Sequence, residues 1–226
     1  MIGGFDPSYY LCIDGNDLRS YYKDINQLVE KSNIEKFFLY NLTDNQKHGK
    51  ECFQDNEFKS NDDIYVSSPK IFLFNDTLNN KIESPCITDV VAEENTITTG
   101  IICNAGFVGM KMLYHLGYRR IVLVGMDARY SDDSTVRDVV EHGNSYRAKN
   151  DDDSNHFRKE YFGKNITFGK PNQKEIIEIW SNFVAKVWHK TVPDLEIISC
   201  TENSNLNQFI NYIPFETFMD SEEVMS

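Results

Sequence analysis

The sequence has little that would tie it to a membrane, a disulfide framework or a nucleic acid. Its longest stretch without a charged residue, 95–110, contains several Thr and Asn and is shorter than the ~20 predominantly apolar residues of a bilayer span. The opening Met1-Ile2-Gly3-Gly4-Phe5-Asp6 has neither a basic region nor an apolar core, so no secretory signal is expected. Five cysteines, Cys12, Cys52, Cys86, Cys103 and Cys200, are dispersed without a C-x-x-C pair. That usage predicts reduced thiols in a cytoplasmic protein rather than disulfides or a zinc site. Basic residues are scarce: 23 Lys and Arg face 35 Asp and Glu, a net charge of −12. So acidic a surface repels phosphate backbones, and no nucleic-acid partner is expected. Four signatures are also missing, the G-x-x-x-x-G-K-[ST] phosphate loop, G-x-G-x-x-G, G-x-S-x-G and H-E-x-x-H. Their absence argues against P-loop nucleotide hydrolysis, the dinucleotide fingerprint, the hydrolase elbow and zincin chemistry.

What is present is globular: 40% of the residues are hydrophobic and 26% charged. A chain of 226 residues suits one α/β domain. Residues 9–13 form an apolar, strand-like run stopped by Asp14-Gly15-Asn16-Asp17. Asp17 is placed to cap a helix to about Lys31, with Leu18, Tyr21, Tyr22, Ile25, Leu28 and Val29 on its inner face. Residues 36–40 make the next strand, ending at Asn41, and this β-α-β rhythm predicts a parallel sheet. A polar excursion over 43–70 precedes a short strand at 71–74. Residues 99–116 read as a mostly apolar helix ended by Gly117, and 120–127 as the clearest strand of the chain.

Residues 128–171 form a second irregular stretch, long enough to be a lid-like loop. An amphipathic helix over 172–190 carries Ile176, Trp180, Phe183, Val184 and Val187 at helical spacing, and 195–199 supply a last strand. The expected fold class is α/β, a Rossmann-like, mainly parallel sheet with helices on both faces and two long loops. It would take in 1–226 as one domain. Ligands of open parallel sheets bind beyond the carboxyl ends of the strands, which selects Asp14, Asn41, Asn75, Asp127 and the loop after Asp127.

Several residues there suit chemistry. Ile97-Thr98-Thr99-Gly100 stands just before the predicted apolar helix. It reads either as an ordinary cap or as a phosphate site made of unpaired amides and the helix dipole. Asp127 can hold a ligand hydroxyl or cap the following turn, and Arg129 and Tyr130 suit a sugar or a phosphate or a solvated loop tip. His156 lies among carboxylates in Asp151-Asp152-Asp153-Ser154-Asn155-His156 and is either a general base or a surface residue. His48, His115, His142 and His189 read as surface residues. The D-x-D spacing of Asp151–Asp153 can serve Mg²⁺ or Mn²⁺, but in so acidic a chain a solvated acidic run is the better reading.

Taken together, Ile97-Thr98-Thr99-Gly100, an apolar helix to His115-Leu116-Gly117-Tyr118, and Ile121-Val122-Leu123-Val124-Gly125-Met126-Asp127 resemble the small bacterial sialyltransferases that use CMP-sialic acid. They equally resemble the wider MptE-like group of Rossmann-type domains of surface-polysaccharide and flagellin-glycosylation proteins. The resemblance covers roughly residues 6–190. It implies that Thr98, Thr99, Gly100 and Asp127 bind the nucleotide in one cleft, with Tyr130 beside them. It further implies that His156, ahead of Lys159-Glu160-Tyr161, is the general base, with Tyr130 as second catalytic residue and Tyr161 as a substrate contact. Asn41, from its place at the sheet edge, and Arg129, from its place on the loop after Asp127, are expected as further substrate contacts. Two departures stand out. The family's opening strand, its G-x-G-P-S-like turn and the Asn after the next strand have no counterpart here, and Arg129 is inserted before Tyr130. Either the chain is a fragment without its N-terminal nucleotide-binding strand, or its donor binding is impaired.

The activity so implied is transfer of an acid sugar, sialic acid or Kdo-like, from a CMP-sugar donor to a surface-glycan acceptor. Its partners would be the nucleotide sugar and the glycan, without a metal or other cofactor, and a homo-oligomer is left open. An MptE-like pterin diphosphokinase needing Mg²⁺, with Asp127 and Asp151–Asp153 as carboxylates, is a second reading. An inactive Rossmann-like binding module of a polysaccharide-assembly system is a third.

Overall fold

A computed structural model of the chain describes residues 7–41, 61–76, 85–100, 104–129, 137–140, 145–151, 164–165, 167–169 and 172–223. The chain divides into two units, Met1–Arg119 and Arg120–Ser226.

In the first unit, strand β1 (Tyr9–Cys12), helix α1 (Gly15–Lys31) and strand β2 (Lys36–Tyr40) form the expected β-α-β run. Then come β3 (Ile71–Asp76), β4 (Val91–Glu93), β5 (Thr96–Thr99) and helix α2 (Ala105–His115). Hydrogen bonding orders the strands β1-β2-β3-β5-β4, all parallel except β4, which runs antiparallel to β5. The two-residue alternation of each strand sorts its side chains between the faces. Phe37, Leu39 and Ile71 pack with Leu18, Ile25 and Val29 of α1, while Phe38, Phe74 and Ile97 pack with Val108 and Met112 of α2. One helix therefore covers each face. On α1, Leu18, Ile25 and Val29 are buried as expected, whereas Tyr21 is exposed. The helix also begins earlier than Asp17: Leu18 N already donates to Asp14 O at 3.0 Å, which puts Asp17 inside the first turn.

The largest difference from expectation lies at Thr98 and Thr99. They do not open the apolar helix but end strand β5. In Thr96-Ile97-Thr98-Thr99 burial alternates between half-buried and buried, and three of the four residues carry the β-branched hydroxyl side chain that suits a pleated surface. Asn75 and Asp76 of β3 face Thr98 and Thr99 across the ladder. Helix α2 starts beyond them, capped by Asn104, whose Oδ1 accepts the Phe107 N–H at 3.1 Å. Its far end closes as expected at Gly117, which takes φ 98 while Gly117 N bonds Tyr114 O and Tyr118 N bonds Leu113 O. That is the Schellman arrangement, which glycine adopts without a Cβ penalty.

In the second unit, β6 (Arg120–Leu123) is followed by three short strands, β7 (Arg137–Val140), β8 (Ser145–Ala148) and β9 (Thr167–Gly169). These pair antiparallel as β7-β8-β9. The stretch expected to be wholly irregular thus contains a small sheet, pinned by the buried Tyr146 and Ala148 on alternate positions of β8. Next come α3 (Gln173–Asn182), a π-helical stretch (Phe183–Trp188), a last helical turn α4 (His189–Thr191), β10 (Glu196–Ser199), β11 (Asn211–Tyr212) and α5 (Phe215–Glu223). Strand β10 lies between β6 and β11, parallel to both.

The predicted amphipathic helix over 172–190 is therefore continuous in sequence but changes pitch midway. A π-helix pairs residues five apart, and Phe183 and Trp188 at that spacing stack with centroids 6.2 Å and planes 9° apart. Trp188 Nε1 is satisfied by Leu195 O at 2.7 Å, which ties the end of this helix to the start of β10. Of the five strands expected in one sheet, those beginning at Tyr9, Lys36 and Ile71 belong to the first sheet and those beginning at Arg120 and Glu196 to the second. Among the described residues no helix is long and apolar enough to cross a membrane.

Candidate functional site

The carboxyl ends of β1, β2, β3 and β5 carry Asp14, Asn41, Asn75 and the Thr98-Thr99-Gly100 run. A parallel sheet brings this about without further instruction. Strands that leave a common edge in one direction must place their next residues side by side. At β2 and β3 the edge is tied by side-chain amides: Asn41 Nδ2 donates to Asn75 Oδ1 at 2.6 Å, and Asn61 Nδ2 donates to Asn41 Oδ1 at 2.7 Å. Asn41, expected as a substrate contact, is thus a half-buried member of a carboxamide chain running from the Asn61–Asp63 turn to β3.

Thr99 and Gly100 are held in a different way. Asp89, on the segment before β4, accepts the Thr99 hydroxyl on Oδ1 at 3.2 Å and the Gly100 N–H on Oδ2 at 3.2 Å. The Lys111 ammonium, in the second turn of α2, meets the same Oδ1 at 2.6 Å and donates to Gly100 O at 2.7 Å. Lys111 has a side-chain exposure of 1% against 31% for Asp89, so the cation is inside and its partner reaches water. The resulting polar cluster holds Thr99 and Gly100 at the end of β5. It also means that a ligand calling on the Thr99 hydroxyl or the Gly100 amide must displace a carboxylate first. Thr98, the residue before them on β5, is half-buried.

Neither Asp89 nor Lys111 was singled out from sequence. A signal existed for Lys111: it is the one charged residue in an otherwise apolar helix, and such a lysine is fully buried only when paired.

In the second unit, the residues after β6 turn sharply at Gly125, with φ 72, and again at Ala128, where a non-glycine residue takes φ 48. This loop carries Asp127 and Arg129, both exposed. Asp127 does not end the strand, as expected, but lies beyond Leu123 and the Gly125 turn. What fixes the loop is the chain leaving the neighbouring strand β10. Thr201 Oγ1 accepts the Met126 N–H at 3.0 Å, and Ser204 Oγ donates to Met126 O at 2.6 Å. Asn205 donates its backbone N–H to Asp127 O and its Nδ2 to Ala128 O, each at 3.0 Å. Asn207 braces this clamp, taking the Ser199 hydroxyl at 2.7 Å and donating to Thr201 O at 3.1 Å. The Ala128 backbone is thus held in a costly conformation by several hydrogen bonds at once, a pattern that accompanies functional loops. Cys200, beside the clamp, is buried, and burial pushes its thiol up from the ordinary range.

Of the expected site residues, Thr98, Thr99, Gly100 and Asn41 fall in the first unit, Asp127 and Arg129 in the second. Tyr130, His156 and Tyr161 lie outside the described residues, as do Asp152 and Asp153. Among the described residues no three His, Cys, Asp or Glu side chains gather as a metal site. Comparisons of this chain with protein-family models, with curated proteins and with solved structures found no match in any of the three.

Proposed function

We propose that the chain is a metal-independent glycosyltransferase that moves an acid sugar, sialic acid or Kdo-like, from a CMP-activated donor to a surface-glycan acceptor. The observation that supports this most is the polar carboxyl edge of the five-stranded sheet. Asn41, Asn75 and Thr98 follow one another across adjacent parallel strands, where open α/β sheets bind nucleotides. In this reading Thr98, Thr99 and Gly100 contact the nucleotide and Asn41 contacts the sugar, all within the first unit. His156 takes the proton of the acceptor hydroxyl, which attacks the anomeric carbon as CMP departs. Tyr130 and backbone amides stabilise the charge that gathers on the leaving phosphate.

Thermal denaturation with CMP, CDP, ATP and GTP, each with and without Mg²⁺, tests it. Binding raises stability by RT ln(1 + [L]/Kd), about 2.7 kcal/mol at a hundredfold excess over Kd. For a chain of this size that is a rise in Tm of roughly 5–10 °C. CMP in the presence of EDTA should give it. A shift that needs ATP or GTP with Mg²⁺ identifies the diphosphokinase instead, and silence towards every nucleotide leaves a binding module.

A further inference from the structure

We propose that Thr99, Gly100 and Lys111 form an anion site whose resident anion is the chain's own Asp89 carboxylate, and that a phosphate group exchanges with it. The anion site stands on its own geometry; that the phosphate belongs to a nucleotide donor rests on the function proposed above.

Three donors of different kinds converge on the Asp89 carboxylate, an ammonium at 2.6 Å, a hydroxyl at 3.2 Å and a backbone N–H at 3.2 Å. This is the donor set that protein sites use for phosphate oxygens. Asp89 fills it imperfectly. Two donors, Thr99 and Lys111, share the single Oδ1, and two of the three contacts are longer than the ~2.7–2.9 Å of good charge-assisted bonds. A phosphate monoester brings three oxygens where a carboxylate brings two, so each donor acquires an oxygen of its own.

Lys111 is fully buried in α2, where an ammonium without an anionic partner is costly. The partner is not buried to the same degree: the Asp89 side chain is 31% exposed. Its neighbours Ile87 and Val90 are buried, so the backbone is anchored on both sides of it. Exchange therefore requires only a change of side-chain rotamer at Asp89, without breaking any strand ladder. Asp89 is in this sense an internal competitor: it keeps the ammonium paired until a phosphate takes over, and it sets a threshold concentration for the phosphate ligand.

The test uses inorganic phosphate on the full chain, with chloride at matched ionic strength as control. Asp89→Ala should melt lower than wild type in chloride, and phosphate should restore most of the lost Tm in a saturable manner while moving wild type much less. The double variant Asp89→Ala with Lys111→Met should show no phosphate-specific response. If Asp89→Ala does not fold, Asp89→Asn keeps an oxygen for Lys111 but removes the competing charge. Equilibrium dialysis should then show phosphate binding at least tenfold tighter than to wild type. Equal phosphate affinity in wild type and Asp89→Asn, or a response that survives loss of Lys111, overturns the proposal. CMP separates the two ideas. CMP binding that is indifferent to Asp89 and Lys111 overturns the assignment of the anion site to the nucleotide's phosphate and leaves the nucleotide reading intact. Phosphate binding in Asp89→Asn without CMP binding to any variant does the reverse.

Discussion

Replacing Ser204 by alanine isolates the clamp that holds the Asp127 loop. Ser204 is 7% exposed, and its hydroxyl works in two directions. It donates to Met126 O at 2.6 Å and accepts the Leu206 N–H at 3.1 Å, capping the short helical turn Asn205–Gln208. Loss of such a cap typically costs ~1 kcal/mol, and Leu206 is completely buried, so water does not replace it. The Met126 carbonyl belongs to a half-buried residue that water reaches in part, so its loss is about 1 kcal/mol, at the low end of the usual range. The sum is about 2 kcal/mol, or roughly 4–8 °C in Tm for a protein of this length. Urea unfolding followed by tryptophan emission measures it cleanly, because both tryptophans, Trp180 and Trp188, are buried in the second unit. The midpoint should fall with an unchanged slope, and the Leu206 amide should exchange faster with solvent. A loss below about 0.5 kcal/mol would refute the argument, since it would mean that neither bond contributes to holding the loop.

Removal of the two partners of the ion pair in the first unit should be unequal. Asp89→Ala strands a buried ammonium and should cost ~3 kcal/mol or more, whereas Lys111→Met leaves a carboxylate that still meets water, Thr99 and Gly100 and should cost ~1 kcal/mol; equal losses in chemical denaturation would count against the inside-cation arrangement. Asn104→Ala should lower stability by about 1 kcal/mol by uncapping α2, and no change in the melting curve would mean that the helix starts elsewhere. Cys86 is exposed and should react with iodoacetamide in the folded protein, while Cys200, buried and with its thiol pushed up by burial, should be labelled only on unfolding. Because a raised thiol pKa means less thiolate at a given pH, its labelling should also need a higher pH, and equal rates at pH 7 for the two would contradict the burial.

The parts of the fold that could be read from sequence are those in which one periodicity dominates. Strands β1, β2 and β3 and helix α1 show it plainly, and their faces separate as the alternation requires. The run Thr96-Ile97-Thr98-Thr99 is ambiguous because the hydroxyls that cap helices also belong to a β-branched residue that favours strands. Pairing with β3 and β4 decided it, and pairing is a long-range property. In 128–171, polar composition hid three short strands, whose buried apolar residues among those described are Tyr146 and Ala148, on alternate positions. The candidate site was legible as a place, the carboxyl edge carrying Asn41, Asn75 and Thr98–Gly100. It was not legible as a mechanism of support. Asp89 comes from an irregular segment, and the Thr201, Ser204 and Asn205 clamp follows a strand distant in sequence from the loop it grips.

The most direct measurement of the central claim is release of CMP from CMP-sialic acid, or from a CMP-activated Kdo-like sugar, followed in EDTA with a glycan acceptor present. The proposed function predicts turnover by the wild-type chain that needs no metal. Since a positioned general base contributes ~10²–10⁴-fold in rate, His156→Ala should slow it by that range while CMP affinity stays nearly unchanged. CMP release no faster than in buffer alone, or a His156→Ala variant as active as wild type, would contradict it.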